Sequence, residues 1–95
     1  MQIKWLDLAA QDLEIIEQYI ARDDPNAALR VVLHIVDSVG QRAEQPMIGR
    51  AGRVRGTREL IIPGTPYLVP YRLKNQEIVE ILRVFHQAKK WPDNF

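Results

Sequence analysis

The apolar positions change their period along this 95-residue chain, and each change marks a new kind of element. Gln2-Ile3-Lys4-Trp5-Leu6 alternates, which suits a short first strand. Ala9, Leu13, Ile16 and Ile20 then recur at spacings of four, three and four, on one side of a helix ending near Ala21. Asp7 is placed to cap that helix, since its carboxylate can accept from the unpaired amides of the first turn. Asp12, Glu14 and Glu17 lie off the stripe and are expected to be wet. Arg22-Asp23-Asp24-Pro25 ends one helix and begins another, with Asp24 as N-cap and Pro25 as first helical residue, where a missing N–H costs nothing. Leu29, Val32, Val36, Val39 and Ala43 carry a second stripe down to Pro46, which cannot continue it. His34 lies off that stripe and reads as a solvated helix residue. So short a link between two amphipathic helices makes an antiparallel hairpin that needs a surface to cover.

After Pro46 the period falls to two. A glycine-punctuated connection leads into Arg53-Val54-Arg55-Gly56-Thr57-Arg58-Glu59-Leu60-Ile61-Ile62, read as extended, with Arg53 and Arg55 on one face and Arg58 on the other. Pro63-Gly64-Thr65-Pro66 is a turn. Tyr67 to Leu73 is a further strand, at an edge or locally bulged where Pro70 lacks a ladder donor. Lys74-Asn75-Gln76 turns the chain into Glu77 to His86, a β-branched run read as the central strand. The fold class is therefore α+β, a single domain over residues 1–95 with the helical hairpin on one face of a mainly antiparallel four-stranded sheet. The other face is expected to stay partly open and to carry the arginines.

Composition narrows this little: 46% hydrophobic and 26% charged residues are ordinary for a globular domain. No apolar run is long enough to cross a bilayer and no secretory signal opens the chain, so a cytoplasmic protein is expected. The absence of cysteine excludes disulfides and thiolate metal sites, and two isolated histidines do not make a metal site, so no metal or cofactor is expected. Charge is segregated: residues 1–45 carry −4 and residues 46–95 carry +5. Two guanidiniums two residues apart on a strand face repel unless an anion lies between them, which makes Arg53 and Arg55 a candidate phosphate contact. Arg83, inside an apolar strand, needs a carboxylate or a ligand phosphate, and Glu59 and Glu80 are the structural candidates. Arg83 and His86 differ by an odd number of positions, so they share a cleft only if the strand ends or bulges around Phe85. Tyr67 and Tyr71 read as cross-strand packing, and Trp91-Pro92 as a plug for the tail.

Taken together, Gly49-Arg50, Gly56-Thr57-Arg58-Glu59-Leu60, Pro66-Tyr67, Tyr71-Arg72, Ile81-Leu82-Arg83-Val84-Phe85-His86 and Trp91-Pro92, in this order, resemble the RelE/ParE superfamily of bacterial toxins, the toxin halves of type II toxin–antitoxin modules. The resemblance implies a cognate antitoxin as partner in a hetero-oligomer. It also implies one of two activities. The RelE-like branch cuts mRNA on the ribosome without a metal, by attack of a ribose 2′-OH on the adjacent phosphorus. On that reading Arg53, Arg55, Arg83 and His86 are the catalytic candidates, and Arg50, Arg58, Lys89 and Lys90 bind RNA phosphate. The tyrosine that some members carry after the position of His86 has no counterpart here. The ParE-like branch inhibits DNA gyrase and is not known for a nuclease site. The expectation ranks mRNA cleavage ahead of gyrase inhibition, with a non-toxic binding module as the alternative from another class.

Overall fold

The computed structural model describes residues 1–47 and 49–88. Its elements are β1 (Gln2–Trp5), α1 (Asp7–Ala21), α2 (Pro25–Arg42), β2 (Arg50–Ala51), β3 (Arg58–Ile61), β4 (Tyr67–Lys74), β5 (Ile78–Ile81) and β6 (Phe85–His86). The sheet runs β1-β5-β4-β3-β2, with β6 pairing β4 beyond the end of β5. All pairings are antiparallel except that of β1 with β5. No helix among the described residues is long and apolar enough to cross a membrane.

The α2 cap forms as read: the Asp24 carboxylate accepts from the amides of Asn26 and Ala27, with Pro25 as first helical residue. The α1 cap does not. Leu6 is still tied to the sheet, its amide donating to Ile81 O at 3.0 Å, so the helix begins one residue later. Asp7 is therefore the first helical residue rather than the cap, and its charge faces the positive end of the helix dipole.

Helices and sheet share a core of Ala9, Ile35, Val39, Ala43, Leu60, Ile62, Val69, Tyr71, Val79, Ile81 and Val84. On α2 the buried side is Ala28, Ile35, Ser38 and Val39, whereas Leu29 and Val36 of the expected stripe are exposed. Apolar residues occupy two adjoining sides of this helix, and the sheet takes the one that carries Ile35. On α1, Asp12 is buried at 8% exposure rather than wet.

Two expected strands are shorter than read. Residues 53–57 are not extended: Thr57 N donates to Val54 O at 3.1 Å across a turn in which Gly56 has φ +81°, so only Arg58–Ile61 belongs to the strand. The run from Ile78 to His86 is interrupted. Tyr71 pairs with Ile81 and Leu68 with Phe85, so three residues oppose two, which is a one-residue bulge. Pro70 explains its position. Its carbonyl accepts from Leu82 N at 3.0 Å, and in an antiparallel strand a residue's nitrogen faces the same neighbour as its oxygen. Proline has no proton to donate there, so the opposing chain leaves the ladder. β4 is thus an interior strand and itself continuous: the bulge lies in the chain opposite Pro70, so neither an edge position nor a bulge within β4 is found.

Candidate functional site

The described arginines of the second half of the chain lie in three places. The first is the β2–β3 hairpin. Glu59, 2% exposed, points to the face opposite the helices and binds Arg50 through Nε at 3.3 Å and Nη2 at 3.2 Å, together with the Arg53 amide at 2.8 Å. The Arg53 guanidinium approaches the same carboxylate at 4.0 Å. Buried glutamate needs such partners, and the result is a loop whose cations are held rather than free. Arg55 occupies the turn that Gly56 permits and is exposed. On the other face Arg58 donates to the carbonyls of Met47 and Gly49 at 3.1 and 2.8 Å. The Tyr71 hydroxyl accepts from Gly49 N at 3.0 Å and donates to Pro46 O. Tyr71 therefore packs in the core as expected and also moors this loop.

The second place is β4–β5, where Arg72 Nε donates to Glu80 at 2.6 Å. This bond, helped by the charges of Arg72, Lys74 and Lys4 and opposed by desolvation, holds the Glu80 carboxyl below its ordinary value.

The third is the bulge. Arg83 donates through Nε and Nη2 to the two oxygens of Asp12 at 2.8 and 3.0 Å, and Val84 N donates to the same carboxylate at 2.9 Å. The partner of Arg83 is thus Asp12 of α1, not Glu59 or Glu80. The hydrogen bond to Asp12 raises the guanidinium pKa further, against the opposing effect of burial. The guanidinium also lies 4.7 Å from the centre of the Phe85 ring, a cation–π distance. One extra residue in the strand turns both donors toward the helix side, and α1 supplies the acceptor.

His86 lies beyond the bulge, where it faces a cleft of about 360 Å³ lined by Asp12, Ile15, Ile16, Tyr19, Tyr67 and Val84. The bulge thus brings Arg83 and His86 to the same side of the sheet: Arg83 binds Asp12, and His86 lines the same cleft as Asp12. The His86 ring meets Tyr67 edge-on at 5.7 Å, and its Nδ1 accepts from Ala88 N at 3.1 Å, which leaves the proton on Nε2. Burial, with a smaller contribution from Tyr19, raises the Tyr67 phenol above its ordinary pKa. His34, expected to be solvated, is exposed but donates from Nε2 to Pro63 O at 2.7 Å, tying α2 to the β3–β4 turn.

The expected site residues are therefore spread out. His86 pairs with Tyr67, and the hairpin of Arg53 and Arg55 adjoins the end of β4 that carries Tyr71, so about 13 Å of strand separates them. Arg83 faces α1, while Arg50 and Arg53 gather round Glu59 on the other face. Lys89 and Lys90, like Trp91-Pro92, lie outside the described residues. Asp12 and Tyr19 are additions that reading the sequence missed, and Glu59, expected as a partner for Arg83, instead holds Arg50 and Arg53. A signal for Asp12 was available: it stands three residues after Ala9 and four before Ile16, at the margin of the apolar stripe.

Known proteins agree with this architecture. Residues 3–91 match the family model described as the ParE toxin of the type II toxin–antitoxin system, parDE. The chain is 45% identical over 91 residues to the Sinorhizobium fredii (strain NBRC 101917 / NGR234) protein named "Putative toxin Y4kP", covering 96% of this chain and 93% of that one. Among solved structures, a chain of the chromosomal ParDE system from P. aeruginosa superposes with a TM-score of 0.83 at 32% identity. A chain of the Mycobacterium tuberculosis RelBE2 toxin–antitoxin complex does so with a TM-score of 0.63 at 26% identity. Each covers 90% of this chain, which spans 95% of the solved one. With its two helices packed on a mostly antiparallel sheet, the chain belongs to the ParE toxin family of type II toxin–antitoxin systems, within the RelE/ParE superfamily.

Proposed function

We propose that this chain arrests growth by inhibiting DNA gyrase, in the manner of the ParE-like branch, and that a cognate antitoxin neutralises it in a hetero-oligomer. The observation that carries the reading is the state of Arg83. A cation that stabilises a transition state must aim its donors at the charge that develops there, and Arg83 aims two of them at the Asp12 carboxylate. Its separation from the Arg53 and Arg55 hairpin, and that of His86 from the same hairpin, also favour a surface that binds a macromolecule over a nuclease site. The family match to ParE toxins and the closer superposition on the ParDE chain support the same choice. The antitoxin enters by likeness to the ParDE and RelBE2 systems.

Two measurements on the full chain test this. Purified protein added to gyrase and relaxed plasmid is expected to block supercoiling. Cells induced to make the chain without its antitoxin are expected to mount a DNA-damage response while ribosome-bound mRNA stays intact. Codon-positioned cuts in ribosome-bound mRNA, with supercoiling unimpaired, would restore the RelE-like reading with its ribosome and mRNA partners and overturn this one.

A further inference from the structure

We propose that α2 is a self-association surface, through which two copies of this chain pair with their α2 helices antiparallel. The proposal is independent of the toxin's target. The helix has a second apolar side that the fold does not use: Leu29, Leu33 and Val36 are 56%, 57% and 41% exposed. Gly40 continues the line, exposed and with nothing within 4 Å of where a Cβ would stand. The spacing of four, three and four is that of a coiled-coil seam, whereas a helix covering one sheet needs only one apolar side. That requirement is already met by Ala28, Ile35 and Val39.

Charge and size choose the occupant and the direction. Arg30 and Asp37 are both exposed, and each directly follows a seam residue, Leu29 and Val36 respectively. In an antiparallel pair these flanking positions face each other, so Arg30 of one copy meets Asp37 of the second, and symmetry repeats the contact. A parallel pair would set Arg30 against Pro25 and Asp37 against Val32, neither of which carries a charge. The same antiparallel register places Leu33 against Val36 and Leu29 over the open space at Gly40, a large side chain against the smallest residue. Within its own helix Asp37 accepts from Gln41 Nε2 at 3.1 Å. A seam of four positions buries less than the roughly 800 Å² per partner of a standard interface, so the dimer is weak and depends on concentration.

Sedimentation equilibrium of the purified full chain, loaded from about 10 µM to about 1 mM, reads this directly; for a weak pair that range brackets the dissociation constant. The average mass is expected to rise from the 11.0 kDa monomer toward twice that value. Leu33→Glu, and separately Gly40→Leu, which fills the notch without touching the core, should each hold the chain at monomer mass with an unchanged far-UV spectrum. Arg30→Asp alone and Asp37→Arg alone should each weaken pairing by about tenfold, and the double charge swap should restore it. A parent that stays monomeric throughout, a dimer indifferent to both seam variants, or a swap that fails to rescue would overturn the proposal. So would a Leu33→Glu chain that still pairs with itself but no longer binds the antitoxin, because this face would then be the antitoxin's.

Discussion

At the scale of the residue, Asp12 has the most consequence for the least sequence signal. It closes three hydrogen bonds to a segment more than seventy positions away, and its partner Arg83 is only 18% exposed at the side chain. Asp12→Ala is expected to leave that guanidinium unpaired and the Val84 amide without an acceptor, at a cost of about 2–4 kcal/mol. Asp12→Asn keeps an acceptor for Val84 and should cost less; urea unfolding midpoints of the two variants check the order. Helical position alone sets Asp12 about 60° from Ala9, nearer the buried side than the wet one. What the sequence concealed was that an arginine would be waiting there, because a bulge opposite Pro70 turns Arg83 toward α1.

At the scale of the element, the β2–β3 hairpin is held from both faces of the sheet. Tyr71 and Arg58 grip the backbone of residues 46–49 from one side, and Glu59 grips Arg50 and Arg53 from the other. Gly49 is where that grip leaves no room: a Cβ there would collide with the Tyr71 hydroxyl and approach the Glu59 carbonyl oxygen to 2.9 Å. Gly49→Ala is therefore expected to destabilise the chain by about 1–3 kcal/mol. Thermal unfolding, beside a control such as Gln11→Ala on the exposed side of α1, measures it. The helices were legible from their periods because a stripe and a cap are local properties. The hairpin was not, since the alternation of Arg53, Arg55 and Thr57 is compatible with a strand until Gly56 takes positive φ and closes a turn.

At the scale of the whole molecule, ion pairs between distant segments make the fold sensitive to acid in one direction. Glu80 has its pKa lowered below the ordinary 4.5 by the Arg72 hydrogen bond, so it contributes stability above that value and loses it as the pH falls through the lowered pKa. Unfolding free energy is expected to be insensitive to this group from neutrality down to about pH 5 and to decline below it. In Glu80→Gln that part of the decline should be missing when the same titration is followed by urea unfolding. The sequence by itself determined the two helices, the order of elements, the α+β class and the superfamily, because hydrophobic period, capping and turn chemistry act between near neighbours. Only the tertiary structure decided which side of α2 is buried, which carboxylate meets each arginine and how far apart the cations stand. Those outcomes depend on register and on a single extra residue opposite a proline, and a shift of one position in a strand reverses the face to which every later side chain points.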